Sequence, residues 1–185
     1  PQPFTNVQIT LPDDALAALK ANGSATLEVG LDQDVFTGLG RVRISDIQVW
    51  LEGVPQKGKS PIRVLISSPG AWRDRYHGSS WSFGGPAWGA EFRYTLSGTN
   101  VAWNFGDGTR GYVQMAASVD PSLRANYFYP SAFAAWTLNV PGVDLSGLSK
   151  VTVVFSGSAI SDSGLAAPAV AQIPLPSLLS GPAKV

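Results

Sequence analysis

His77 is the only histidine, and it sits in Arg73-Asp74-Arg75-Tyr76-His77-Gly78-Ser79-Ser80, so a Ser-His-Asp set can be written from adjacent residues. Acyl transfer needs more than the three residue types. The nucleophile must lie within hydrogen-bond reach of the imidazole and beside an oxyanion hole, and no G-x-S-x-G elbow is present to hold it. His77 therefore reads as a solvated loop histidine among charges. Glycoside hydrolysis would need two carboxylates across the scissile bond. The glutamates are Glu28, Glu52 and Glu91, and Asp74 with Glu91 is the pair that falls in the aromatic part of the chain. Asp74 has Arg73 and Arg75 as expected salt-bridge neighbours, and Glu91 is expected to face water from a strand. One histidine and no cysteine exclude the usual zinc and iron sites. A structural calcium ion stays open on the turn residues Asp32-Gln33-Asp34 and Asn104-Phe105-Gly106-Asp107-Gly108-Thr109, neither of which fits an EF-hand loop. No catalytic residue, metal ligand or other cofactor is expected.

Binding chemistry is better represented. Four of the six tryptophans, Trp72, Trp81, Trp88 and Trp103, fall in one glycine-rich stretch with Tyr76, Phe83, Phe92, Tyr94, Phe105 and Tyr112. Pro69, Gly70, Gly78, Gly84, Gly85, Pro86 and Gly89 interrupt them, which favours loops over strands. An indole in a loop stacks on a sugar ring or anchors a protein partner, where Trp, Tyr and Arg dominate the energy. The same rings also serve to roof a sandwich core. The candidate set for a ligand or partner is Trp72, Arg73, Arg75, Tyr76, Trp81 and Trp88. Trp50, Trp103 and Trp136, on or beside strands, are expected in the core.

The bulk composition limits the partner. The 185 residues suit one generous domain. Thirteen basic and thirteen acidic residues cancel, which argues against a nucleic-acid or anionic-membrane surface. Charged residues are 14% of the chain, against about a quarter in ordinary domains. With 44% hydrophobic residues, part of the surface is expected to be covered by a neighbour. There is no cysteine, hence no disulfide. No apolar run reaches the roughly 20 residues a membrane span needs. The start, Pro1-Gln2-Pro3-Phe4, is no signal peptide, and with Met115 the sole methionine a fragment of something longer is expected.

These residues need a scaffold, and the chain punctuates itself as β-structure. Strands are expected at Phe4–Leu11, Thr26–Leu31, Arg41–Leu51, Ile62–Ile66, Phe92–Leu96, Gly111–Ala117, Trp136–Val140 and Val151–Phe155. One short helix is expected near the N-terminus, from Asp13 to Ala21, with the two aspartates in its first turn, Lys20 in its last and Gly23 closing it. Within Arg41–Leu51 the apolar positions shift from even (Val42, Ile44) to odd (Ile47, Val49, Leu51). A one-residue slip would send every side chain to the opposite face, so a β-bulge is expected at Ser45-Asp46. Eight short strands among 20 glycines and 14 prolines predict an all-β fold, an antiparallel sandwich of jelly-roll type. Residues 1–160 form that domain. Residues 161–185 are a Pro/Ala/Ser-rich extension, in which Ile173-Pro174-Leu175-Pro176-Ser177-Leu178-Leu179 is expected to be extended.

Two segments carry a family resemblance. Val35-Phe36 followed by Arg41-Val42-Arg43-Ile44-Ser45-Asp46-Ile47-Gln48-Val49 resembles the "F…RRIKSVSVSI" strand near the end of the A component of bacterial Tc insecticidal toxin complexes. Ala135-Trp136-Thr137-Leu138-Asn139-Val140-Pro141, with Leu148-Ser149-Lys150-Val151-Thr152-Val153, resembles that family's late "STWRLSLP…ISDVILHI" segment. The matched segments cover about a fifth of the chain. The chain departs from the family at Gly38-Leu39-Gly40-Arg41, where the family carries "PGHYFRR", and at Leu51-Glu52-Gly53-Val54-Pro55, where it carries "CVVGPY". The resemblance implies a C-terminal β-sandwich that docks the B component, without catalysis.

The expectation is a non-catalytic interaction or assembly module of a larger bacterial toxin-like or extracellular protein, with a protein partner or neighbouring subunit. The alternative is a carbohydrate-binding module stacking glycan rings on loop tryptophans. No nucleic acid and no transmembrane segment are expected.

Overall fold

The computed structural model describes residues 1–55, 60–95, 112–115 and 129–163. Its strands are β1 (Gln2–Thr10), β2 (Ser24–Glu28), β3 (Leu39–Glu52), β4 (Ile62–Ser68), β5 (Ala71–Tyr76), β6 (Ser79–Gly84), β7 (Trp88–Thr95), β8 (Tyr112–Met115), β9 (Ala135–Asn139) and β10 (Lys150–Ser161). Helix α1 spans Asp13–Asn22, and one 3-10 turn covers Asp34–Phe36. Trp103 and residues 104–109 lie outside the described residues, as does the extension beyond Ser163.

Helix α1 forms where the sequence places it. Asp13 and Asp14 meet the positive end of its dipole and Lys20 the negative end. Gly23, at φ 70°, adopts the left-handed conformation that ends the helix and donates its N–H to Leu19 O at 2.8 Å. Leu19 alone is fully buried; Leu16 packs beside it half-covered.

Two antiparallel sheets face each other. One has the order β1-β10-β3, so that Val153 lies between Ile9 and Val49. The other has the order β2-β9-β4-β7-β8, with Leu27 opposite Trp136 and Val64 opposite Phe92. Alternation along each strand turns Ile47, Val49, Leu51, Val151, Val153 and Phe155 inward, against Val64, Ile66, Phe92, Tyr94, Trp136 and Leu138. Trp136 reaches across to Phe155 at 5.7 Å between ring centroids, and Trp50 meets Phe92 edge-on at 5.1 Å. Tyr94, also buried, accepts the Leu51 N–H on its hydroxyl at 3.2 Å, and burial pushes its phenol pKa upward. Trp50 and Trp136 are therefore core residues.

The fold is an all-β sandwich. Beside the outer edge of β3 no strand lies among the described residues, only a bridge between Arg43 and Ser131 and the Ile44 N–H bond to Pro130 O, while β8 extends the opposite sheet beyond β7.

The phase change in β3 is a bulge. Asp46 pairs with Ser156 and Ile44 with Gly157, leaving Ser45 as the extra residue. Ile47 and Val49 are fully buried as a consequence. Strand β1 is interrupted at the same level, between Phe4 and Val7, where Asn6 adopts φ 58°. A further slip lies between Arg43 and Gly40, with Arg41 at φ 49°. Gly157 makes this possible, since a Cβ there would stand 1.9 Å from the Arg43 carbonyl oxygen.

Candidate functional site

The segment expected as aromatic loops is instead ordered β-structure, which corrects the reading from its glycines and prolines. Strands β5 and β6 form a separate hairpin with Tyr76 opposite Ser79, Asp74 opposite Trp81 and Trp72 opposite Phe83. The connection is two residues long, His77 at φ 49° and Gly78 at φ 73°. Positive φ at both central positions marks a type I′ turn, one of the two primed types whose twist matches the flanking strands.

Trp72 and Trp88 are removed from any displayed platform. Trp72 is 1% exposed and lies 5.8 Å from Trp136; Trp88, on β7, is 4% exposed and meets Trp136 edge-on at 5.4 Å. The two indoles roof the sandwich core at the root of the hairpin. Trp81 is different. It stands 37% exposed on β6, with Phe83 half-buried two residues on.

The two arginines of the candidate set differ: Arg75 turns inward and Arg73 is largely at the surface. Arg75 donates to the carbonyl oxygens of Leu31, Phe36 (2.6 Å) and Leu39 (3.3 Å), and its guanidinium lies 5.2 Å over the Phe133 ring. Burial lowers its pKa, opposed by the negative charges of Asp162, Asp32 and Asp74. Arg75 thus clamps the segment between β2 and β3, its guanidinium engaged by three backbone carbonyls. Arg73 reaches Val29 O at 3.4 Å and Glu28 at 3.8 Å, a solvent-exposed pair that contributes little. Its backbone does more: the N–H donates to Phe133 O and the carbonyl accepts from Ser131 Oγ at 2.6 Å.

Asp74 is fully buried, and its partner is neither flanking arginine side chain. Its Oδ2 accepts from Arg43 Nη1 at 2.5 Å, while Oδ1 accepts the backbone N–H of Arg75 at 2.8 Å. Arg43 also covers the Phe83 ring at 5.6 Å. Tyr76 lies under the Arg41 guanidinium at 5.1 Å and against the edge of the His77 ring at 4.0 Å. Gly40 permits this approach, since a Cβ there would meet Arg75 O at 2.7 Å. His77 is exposed at the turn; its backbone N–H donates to the buried Asp162 Oδ2 at 2.7 Å.

Glu91 does not accompany Asp74. It lies on β7 between Arg63 (2.8 and 2.9 Å) and Arg93, whose hydrogen bonds hold its carboxyl down at about 2. Among the described residues no group of three or more His, Cys, Asp or Glu side chains is arranged to hold a metal, and Asp32 and Asp34 stand without such company. No helix among them is long and apolar enough to cross a membrane.

One feature of the hairpin lies on its backbone. The outer edge of β6 pairs with nothing among the described residues. Three other edges are blunted: β1 carries Pro3 and the Asn6 bulge, β3 carries two bulges and the Ser131 bridge, and β2 is five residues ending in Glu28; β8, at the far edge of its sheet, is only four residues long. Strand β6, Ser-Ser-Trp-Ser-Phe-Gly, has no charge, no proline and no bulge, and is exposed at every position but Phe83. Arg43, Ser131 and Asp162, which seat the hairpin, were not singled out from sequence because each lies far from it along the chain. The two-residue His77-Gly78 turn between alternating segments was the available signal.

No family model, no curated protein and no solved structure matches the chain.

Proposed function

We propose that this domain is a non-catalytic interaction module that docks an extended segment of a protein partner or neighbouring subunit along the open edge of β6, with Trp81 as the anchoring side chain. The observation that carries the reading is the combination of an unblunted, uncharged edge with an exposed indole, on a hairpin whose Asp74 and Arg75 are engaged in seating it. Unpaired N–H and C=O groups on an edge template strand addition, and alternate side chains supply selectivity. Asp74 is tied to Arg43 and Glu91 to Arg63 and Arg93, so neither is poised for acid–base work. The likeness of β3, β9 and the start of β10 to the Tc toxin A component supports the same reading, and with it a place in a bacterial toxin-like or extracellular assembly.

A glycan-binding reading is favoured by a single observation, the exposed Trp81 ring two residues along β6 from Phe83, whose own ring lies under the Arg43 guanidinium. A peptide-display selection and a glycan array separate the two. The docking reading expects extended peptides whose affinity falls at least tenfold with Ser82→Pro. Binding of oligosaccharides alone, abolished by Trp81→Ala, would replace it with the glycan reading, and turnover of a substrate would sink both.

A further inference from the structure

The hydrogen-bond phase of the hairpin fixes which groups β6 offers outward. Gly85 N–H donates to Gly70 O at 2.9 Å, one step beyond the Ala71–Gly84 pair. Antiparallel ladders alternate, so Trp72–Phe83, Asp74–Trp81 and Tyr76–Ser79 are the pairs that exchange bonds within the hairpin. The backbone groups of Ser80, Ser82 and Gly84 therefore point away from β5, along the free edge.

Around Trp81 the sequence reads nearly the same in both directions: Gly78-Ser79-Ser80-Trp81-Ser82-Phe83-Gly84. A two-fold interface must be self-complementary, each residue i meeting j while j meets i. An antiparallel pairing of β6 with its own copy, centred on Trp81, meets that condition in three ways. Ser80 of each copy falls opposite Ser82 of the other, and these are the residues whose N–H and C=O groups point outward, so donors face acceptors throughout. No formal charge lies on the strand to oppose the pairing. Ser79 falls opposite Phe83, small against large, while Trp81 meets its own symmetry mate at a non-hydrogen-bonded position, where side chains approach closest. Gly78 and Gly84 flank the ladder with open space, nothing lying within 4 Å of a Cβ built on either. A net charge of zero leaves no overall repulsion between copies.

We infer that the partner of β6 is a second copy of this chain, joined through a two-fold β6–β6 ladder into a continuous β5-β6-β6-β5 sheet. This rests on the docking reading above and names its partner. The self-matching pattern on this edge selects this pairing over a stack of copies: each hairpin has one such edge, so the ladder closes at two.

Sedimentation velocity over a concentration series, with disulfide trapping, tests it. The wild type should show a concentration-dependent dimer. Ser82→Pro removes an outward N–H that β5 does not use, and proline is tolerated on such an edge, so the hairpin should persist by circular dichroism while dimerisation weakens at least tenfold. The chain has no cysteine, so W81C introduces one thiol per copy. Facing Cα atoms about 4.5–5.5 Å apart lie within the range a disulfide spans. W81C should cross-link to a dimer under mild oxidation, whereas S79C, offset from its mate by four residues or about 13 Å, should not. A monomer at all concentrations without a W81C cross-link overturns the inference, as does a dimer indifferent to Ser82→Pro or trapped equally by S79C. If the dimer fails yet selected peptides still bind at β6, the docking reading stands with another partner; if both fail, that reading falls too.

Discussion

In the sandwich, Trp136 is wrapped by Trp72, Trp88 and Phe155, and its indole N–H finds Ala132 O at 2.9 Å. In the hairpin, Arg75 reaches three backbone carbonyls, and Asp74 holds Arg43 from a different strand. Both regions are antiparallel β-structure, but apolar burial organises one and directional polar contacts seat the other. The difference bears on function. A core tolerates small repacking as long as volume is kept, whereas a polar seat fixes orientation, which is what a projecting edge requires.

That contrast is breakable at its strongest point. Trp136→Ala should destabilise the whole domain by about 3–5 kcal/mol, read by urea denaturation, with the hairpin and both sheets lost in one transition. A loss confined to the hairpin would mean the sandwich does not depend on this ring. Arg75→Met keeps much of the stem but leaves Leu31, Phe36 and Leu39 carbonyls without their donor, a change of about 2 kcal/mol. Hydrogen exchange should then quicken at residues 31–39 and in β5 while β10 stays protected. Uniform quickening would place Arg75 in the common core and erase the distinction.

The smallest effect is at Glu91. Its folded pKa lies at about 2, below the unfolded value near 4.3, so its contribution is present above that unfolded value and is lost as pH falls from there toward 2. Thermal melts of wild type and Glu91→Gln should diverge at pH 6 and converge at pH 2.5. Equal separation at both pH values would detach the effect from Glu91 ionisation. The arginine partners are largely solvent-exposed, which keeps the effect modest.

The sandwich was largely legible because its signal is local. Alternation in β3 and β10, the Asp13-Asp14 to Gly23 helix frame and the phase slip at Ser45 each follow from a few neighbouring residues. The hairpin was less so. Glycine and proline around Trp72, Trp81 and Trp88 suggest loops, but Gly70 is needed to let the chain pass Gly85 O, where a Cβ would stand 2.3 Å away, and Gly78 for the left-handed turn. Sequence places Arg73 and Arg75 beside Asp74, yet residues adjacent on a strand point to opposite faces, so the ion pair goes to Arg43 across the interface. Of the expected binding set, Trp81 alone is both displayed and on the open edge.

The bulges in β1 and β3 have a consequence for synthesis. Strand β10 lies between β1 and β3, yet it is made after everything else in that sheet. β3 ends at Glu52 and β10 begins at Lys150, an interval of about 5–20 s at ordinary elongation rates. Throughout it, β1 and β3 are both made yet lack the strand that joins them. The left-handed Asn6 and Arg41, the extra Ser45 and Pro3 make each a poor template for a foreign strand, and Gly157 on β10 is shaped to accept those same irregularities. The kinks that bend the finished sheet thus also leave these two edges poor templates before the matching strand is made.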